Sequence, residues 1–361
     1  MNLNVLLVPG DGIGTEVTRE AVRVLHHVAA KWKHTVNTCE GLLGGIAIKK
    51  TGNPFPEETA KLAAQADATL MGAVGLPEYD HLPLDQRPEK GLLGIRRALG
   101  VFANLRPVRA YASQLDSSPL KNHLVEGTDM IIVRELTGGI YYGTPRGITG
   151  TGAEERAVNT MTYTRGEIER VARMAFRLAR TRRSKLTSVD KSNVLECSQL
   201  WRRVVTELSK EFPDVELEHL LVDNTAMQLV LNPKRFDVVL MENMFGDILS
   251  DEGAVLAGSI GMLPSASLGD QRPSGAWAGL YEPVHGSAPD IAGQNKANPL
   301  GAIGSVSAML AYSFGLKEEA AAVETAIETV LKGGHVTADL RPSGAPATTE
   351  QVGQAVCAAI G

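Results

Sequence analysis

Phe236-Asp237-Val238-Val239-Leu240-Met241-Glu242-Asn243-Met244-Phe245-Gly246-Asp247-Ile248-Leu249-Ser250-Asp251 is the stretch on which the reading of this chain turns. The run from Phe236 to Leu240 is short, apolar and rich in valine, and so predicts a buried strand. It empties into Gly246 and a new helix. Asp247 and Asp251 then fall four residues apart in that helix's first turn, on one face, with Cβ atoms about 5–6 Å apart. One carboxylate at a helix N-terminus is an ordinary cap. Two on the same face repel each other unless a cation sits between them or one faces solvent. Hard oxygen donors at the carboxyl end of a strand suit Mg²⁺ or Mn²⁺; a charged helix start is the alternative.

Outward from this stretch the same alternation repeats. Asn4 to Val8 reads as a strand, and the helix after it places Val17, Ala21, Val24, Leu25 and Val28 on one face. Further apolar runs at Ala68–Met71, Met130–Val133, Leu186–Val189 and Val238–Leu240 are separated by helical patterns. Such alternation marks an α/β protein with a largely parallel sheet. The turn Pro9-Gly10-Asp11-Gly12-Ile13-Gly14 invites a dinucleotide-binding reading, but the fingerprint G-x-G-x-x-G requires glycine where Thr15 stands. A tight strand-to-helix turn, and not a pyrophosphate grip of the Rossmann kind, is expected here.

Thr137 to Tyr163 breaks the pattern. It is rich in glycine and threonine, carries tyrosines and has no helical period, which predicts a β-hairpin or extended arm. An arm with few core contacts of its own pairs with another subunit. Beyond it, Arg170, Arg173, Arg177 and Arg180 form a basic stripe opposite Ile168, Val171, Ala175 and Leu178. A solvated face opposite a buried one accounts for it, and no aromatic side chains interleave to suggest nucleic acid. Helices are expected over Lys317–Lys332 and Thr349–Ala358.

At 361 residues the length suggests two domains, and 43% hydrophobic content supplies a large core. A net charge of −5 offers no basic field for nucleic acid or an anionic membrane. Cys39, Cys197 and Cys357 are too scattered for a disulfide or zinc framework and point to a reducing compartment. With no signal-peptide pattern and no apolar run of about 18 residues, a cytoplasmic protein without a membrane span is expected.

Arginine placement points to an anionic ligand. Arg96 follows Gly91-Leu92-Leu93-Gly94-Ile95, Arg106 lies in Asn104-Leu105-Arg106-Pro107, and Arg134 ends an apolar strand, where a charge is costly unless paired. Each is a surface ion pair by default; converging, their forked donors would hold a substrate with two or more carboxylates. Lys191 ends the strand Leu186–Val189, where nearby cationic charge would lower its pKa toward that of a useful base. Tyr141, in the arm, offers a phenol as proton donor, although a surface lysine and a packing tyrosine are the plainer readings. The segment Tyr281–Ile291 has little helix or strand propensity and would expose backbone donors to a ligand. His285 has no second histidine at ligand spacing, which argues against a metal role.

Taken together, the motifs Asn104-Leu105-Arg106-Pro107, Glu135-Leu136-Thr137-Gly138-Gly139-Ile140-Tyr141, the Asp247/Asp251 segment and His285-Gly286-Ser287-Ala288-Pro289-Asp290 carry a resemblance that runs essentially end to end. The chain resembles the 3-isopropylmalate dehydrogenases. These belong with the isocitrate, homoisocitrate and tartrate dehydrogenases among the metal-dependent decarboxylating β-hydroxyacid dehydrogenases. The resemblance implies an α/β, two-domain isocitrate/isopropylmalate dehydrogenase-like fold, not a Rossmann fold, with a β arm at the dimer interface. The first domain would combine 1–101 and 254–361 on the cofactor side, and 102–253 would form the second, with the arm at about 137–163.

The resemblance also implies roles. Arg96, Arg106 and Arg134 would bind the carboxylates of a 2-alkylmalate, with Asp223, Leu92 and Leu93 also at the substrate. Asp247 and Asp251, with Asp223 supplied by the second subunit of a homodimer with shared active sites, would hold Mg²⁺ or Mn²⁺. Lys191, also from that subunit, would deprotonate the 2-hydroxyl while hydride passes to NAD, and Tyr141 would return a proton to carbon after CO₂ leaves. His285, Gly286, Ser287, Ala288, Pro289, Asp290, Ile291 and Asn298, with Glu89 and Asn193, would hold the cofactor. Leu92 and Leu93, beside Arg96 on one helix, would receive a branched alkyl group. Homoisocitrate or a tartrate- or malate-type substrate is the alternative within the family. The stretch between Leu268 and Leu280 is longer than this loop usually is.

Overall fold

The computed structural model describes residues 1–271 and 276–361, which divide into two compact units. Met1–Val101, Tyr111–Pro119 and Ala257–Gly361 form one, and Phe102–Ala110 with Leu120–Leu256 forms the other.

In the first unit the strand Asn2–Gly10 pairs in parallel with Thr35–Glu40 on one side and Ala68–Ala73 on the other. Ala68–Ala73 pairs in parallel with Trp277–Pro283, which turns antiparallel against Pro264–Gln271. The expected long stretch between Leu268 and Leu280 falls partly outside the described residues, at 272–275. Helix Gly14–Lys31 buries Val17, Ala21, Val24, Leu25 and Val28 completely, as its spacing predicts. Each of these valines and the leucine contributes about 1.5–3 kcal/mol by leaving water, and the alanine less. Helix Leu300–Tyr312 is buried on nearly all sides and is correspondingly apolar throughout. One core cluster joins Leu6, Val8, Leu43, Met71, Ile95 and Leu280, and Leu92 and Phe55 pack against it.

In the second unit Asp129–Glu135 runs antiparallel to Ala103–Arg109 and parallel to Val238–Met241. Val238–Met241 pairs in parallel with Lys185–Asp190, and that strand with Glu216–Leu221. Met241 stands opposite both Arg134 and Val189, so these neighbouring strands deliver their carboxyl ends to one edge. Helix Arg165–Arg180 starts on a capping box between Thr164 and Glu167 and buries Ile168, Val171 and Ala175. Arg170, Arg173 and Arg180 of its basic stripe are occupied by protein groups. Arg173 grips Glu211 with both terminal nitrogens, Arg180 grips Asp214 and lies over the Phe212 ring, and Arg170 lies over Phe102. The arm is a two-stranded antiparallel ribbon of Gly143–Thr149 and Arg156–Thr160.

Two boundaries differ from the sequence reading. The helix expected to open at Gly246 spans Asn243–Leu256, so Asp247 lies beyond its first turn. Gly246 is an interior helix residue, and its lack of a side chain serves packing. The stretch expected as loop from Tyr281 begins as strand, because Tyr281, Glu282 and Pro283 complete Trp277–Pro283 and Tyr281 is fully buried. Among the described residues, no helix is long and apolar enough to cross a membrane.

Candidate active site

The second unit gathers five of the expected side chains. Arg134, buried at the carboxyl end of its strand, points Nη1 at Oδ1 of Asp247, and the Tyr141 hydroxyl donates to Oδ2 of the same carboxylate at 2.9 Å. Arg106, also buried, donates from Nη1 to Ser250 Oγ at 2.6 Å and to Asp251 Oδ1 at 3.0 Å, and its Nη2 stands 3.9 Å from Asp247 Oδ1. The two arginines thus supply the positive charge that lets Asp247 and Asp251 share a helix face. Local sequence makes this possible. A Cβ at Gly246 would lie 2.7 Å from both Cβ and Cγ of Arg134, so only glycine lets the arginine stem cross the helix there. Burial and the Asp247 carboxylate push the Tyr141 phenol up to about 12, against the opposing pull of Arg134. The phenol therefore holds its proton at neutral pH.

Lys191 follows the strand Lys185–Asp190, and its Nζ donates to Asp223 Oδ1 at 2.8 Å. That ammonium holds the Asp223 carboxyl below the usual carboxylate range. Asn193 is exposed in the same turn. Among the described residues, no cluster of three or more His, Cys, Asp or Glu side chains forms a metal cage within one chain. Asp247 and Asp251 do present partly exposed carboxylate oxygens, the donor type that hard divalent cations take.

The other expected residues lie in the first unit. Arg96 donates from Nη2 to Glu282 Oε1 at 2.7 Å, and its buried Nε has no hydrogen-bond partner, a donor left open for an acceptor. On the same helix Leu92 packs partly into the core cluster, and Leu93 is half-buried without belonging to it.

The turn Pro9–Gly14 is an internal fixture. Its amides go to protein acceptors, with Asp11 N donating to Ala73 O at 2.7 Å and Ile13 N to Ser287 O at 2.8 Å. A Cβ at Gly12, whose φ is +54°, would meet Ser287 O at 2.0 Å. The buried Asp11 carboxylate accepts from Gly45 N, Ile46 N and Gly75 N at 2.8, 2.8 and 2.9 Å, tying three segments together. Ser287 Oγ donates to Gly75 O, and Glu89 Oε1 lies 3.4 Å from where a Gly75 Cβ would stand, so Glu89 and the Ser287 loop meet at Gly75.

Glu16, on the inner face of the first helix, accepts from Gly293 N at 2.8 Å and Asn295 N at 2.7 Å, which fastens the loop carrying Ala288, Pro289, Asp290 and Ile291. Gly286 and Asp290 are exposed. His285 is buried with Nε2 unpartnered, and burial lowers its pKa, so it is neutral and can offer Nε2 to a ligand. The Asn298 amide is held by Asp339 and by Leu300 N.

Sequence reasoning missed Asp11, Glu16, Glu282 and Asn243. Glu16 and Glu282 left a signal, as carboxylates on an inward helix face and inside a buried strand, where only a partnered charge is tolerated.

This geometry has counterparts. The model of the isocitrate/isopropylmalate dehydrogenase family matches residues 4–356. The chain belongs to that family. The 3-isopropylmalate dehydrogenase of Halalkalibacterium halodurans is 55% identical over 361 residues, covering 100% of this chain and 98% of the relative. That of Geobacillus kaustophilus is 58% identical over 343 residues, with 95% and 91% covered. Among solved structures, isocitrate dehydrogenase from Methylococcus capsulatus superposes with a TM-score of 0.86 at 32% identity, covering 99% of both chains. A beta-decarboxylating dehydrogenase from Thermococcus kodakarensis gives 0.78 at 36%, with 99% and 96% covered. The isocitrate/isopropylmalate dehydrogenase fold is therefore this chain's fold, and the failed dinucleotide fingerprint at Pro9–Gly14 agrees with it.

Proposed function

We propose that the chain catalyses NAD-dependent oxidative decarboxylation of 3-isopropylmalate to 4-methyl-2-oxopentanoate, a step of leucine biosynthesis, in the cytoplasm. The observation that carries this reading is the Arg106/Arg134/Tyr141/Asp247/Asp251 constellation, in a chain whose relatives at 55% and 58% identity are 3-isopropylmalate dehydrogenases. Arg106 and Arg134 bind the malate carboxylates through forked donors, and Arg96 adds a third guanidinium with a free Nε. Leu93, with Leu92 at its back, offers the isopropyl group apolar surface.

Lys191, in its neutral amine form, would take the proton of the 2-hydroxyl as hydride leaves C2. Once the carboxylate on C3 departs as CO₂, that carbon takes the Tyr141 proton. Asp247 and Asp251, with Asp223 of the second subunit, would hold Mg²⁺ or Mn²⁺, which would supply Lewis-acid polarisation of the substrate oxygen, and bound NAD would accept the hydride. The neutral His285 with its open Nε2, the Ser287 loop, Asp290, Ile291, Asn298, Glu89 and Asn193 suit the cofactor.

Large apolar side chains left exposed in the second unit support a homodimer: Met227 and Leu231 on helix Val222–Leu231, Ile248 and Val255 on helix Asn243–Leu256, and Ile148 on the arm. The reading is tested by incubating purified protein with 3-isopropylmalate, NAD and Mg²⁺. Equimolar NADH and CO₂ are expected, and NADH without CO₂, or neither, would contradict it.

A further inference from the structure

On the side of Arg134 away from Asp247, the Asn243 side chain ties the guanidinium to the turn that carries Tyr141. Asn243 is the first residue of helix Asn243–Leu256 and is buried. An asparagine at a helix start ordinarily accepts from its own helix's free N–H groups. Here the carboxylate of Glu242 does that, taking Met244 N at 3.0 Å and Phe245 N at 2.9 Å. The Asn243 amide is thereby released to face the other way.

Its Oδ1 accepts from Arg134 Nε at 3.1 Å and Nη2 at 2.8 Å, and its Nδ2 donates to Gly138 O at 3.1 Å. The orientation follows from the partners alone, since a guanidinium offers only donors and a carbonyl only an acceptor. Asn243 therefore grips the inner edge of Arg134, leaving Nη1 to face Asp247, and at the same time holds the turn that presents Tyr141.

The turn has a second support in Tyr163. Gly139 N donates to Thr162 O at 3.0 Å, and a Cβ at Gly138 would lie 2.7 Å from Cε1 of the Tyr163 ring. The Tyr163 hydroxyl accepts Asn243 N at 3.0 Å.

We propose that Asn243 is a positioning residue that couples the Arg134 guanidinium to the Gly138–Tyr141 turn, so that the carboxylate-binding group and the proton-donating phenol are fixed as one unit. The inference rests on the roles proposed above for Arg134 and Tyr141. Asparagine is needed because the site asks for an acceptor on one side and a donor on the other. Aspartate would keep the arginine and turn a carboxylate oxygen toward the Gly138 carbonyl.

The test is Asn243→Asp and Asn243→Ala, each made in the parent and in Tyr141→Phe, with kcat and KM measured on 3-isopropylmalate. Asn243→Asp is expected to leave KM within about threefold and to lower kcat about 10- to 100-fold, the scale of an ångström-size misplacement of a reacting group. In Tyr141→Phe the same change should cost less than about threefold, because two residues acting through one contact are not additive. Asn243→Ala should raise KM as well, since Arg134 loses two acceptor contacts. Should the Asp variant fail to fold, Asn243→Ser in both backgrounds carries the same cycle. Equal losses of kcat in both backgrounds, or parental kcat in Asn243→Asp, would overturn the inference. An inactive parent overturns the proposed function and this inference with it, whereas an active parent with additive losses overturns the inference alone.

Discussion

Gly246→Ala is the sharpest perturbation the site offers. In an exposed helix interior that change is stabilising by about 1 kcal/mol, through helix propensity and the stiffer unfolded chain. At Gly246 the new methyl would stand 2.7 Å from Cβ and Cγ of Arg134 and 3.2 Å from its Cα. Carbon contacts settle at about 3.5–4.0 Å, so the overlap approaches an ångström. The atoms it meets are the root of the arginine in a strand paired on both sides, which cannot swing away. Overpacking of this kind costs about 1–3 kcal/mol and outweighs the propensity gain.

Gly253 lies two turns further along the same helix and provides the control. There a Cβ would meet only side-chain methyls, Val108 Cγ2 at 3.3 Å and Ile132 Cδ1 at 3.4 Å, so Gly253→Ala should be neutral or stabilising. The two variants should differ by about 1–3 kcal/mol, or several degrees in Tm by thermal unfolding. Gly246→Ala should also lose about 10- to 100-fold in kcat/KM as the Arg134 guanidinium is displaced. If Gly246→Ala matches Gly253→Ala in Tm and keeps parental kcat/KM, the packing argument for Arg134 fails.

Three further outcomes follow from the site. Lys191→Met should keep the fold and most substrate binding while kcat falls about 10²–10⁴-fold; a variant within a few-fold of the parent would move the base elsewhere. Because Asp223, Asp247 and Asp251 offer only hard oxygens, chelation should abolish turnover and Mg²⁺ or Mn²⁺ restore it, with undiminished turnover in excess EDTA refuting the metal assignment. Asp290 is exposed and, if it accepts hydrogen bonds from the cofactor's ribose hydroxyls, should favour NAD over NADP by at least about tenfold in kcat/KM, and Asp290→Asn should narrow the ratio; equal values in the parent would contradict that role.

Much of this was legible in the sequence because the informative residues sit where local rules are strong. The alternation of valine-rich runs with helical patterns revealed the parallel strands, and the period of Val17–Val28 revealed the buried face of the first helix. Helix Asn243–Leu256 was placed late because a glycine inside a helical pattern reads as a boundary, and its real reason is the arginine stem crossing it. The start of that helix was also hidden, since its cap is the buried Glu242 in place of the short side chain that usually serves. Asn243 and Asp11 leave no sequence signal, for a related reason. Their partners are backbone groups or side chains distant in sequence, and no periodicity records such contacts.

Under the proposed function, the apolar surface beside Arg96 selects a branched alkylmalate. This selection is tested most directly by kcat/KM for 3-isopropylmalate, isocitrate, homoisocitrate, malate and tartrate under one set of conditions. A third carboxylate placed against Leu93 would be desolvated with no partner, so isocitrate and homoisocitrate should be strongly disfavoured. Losing the three alkyl carbons, at about 0.8 kcal/mol each, should cost malate about 2–3 kcal/mol, a graded decline. 3-Isopropylmalate should come first by a clear margin. Any one of the other four matching or exceeding it would contradict both the role of the leucines and the proposed place in leucine biosynthesis.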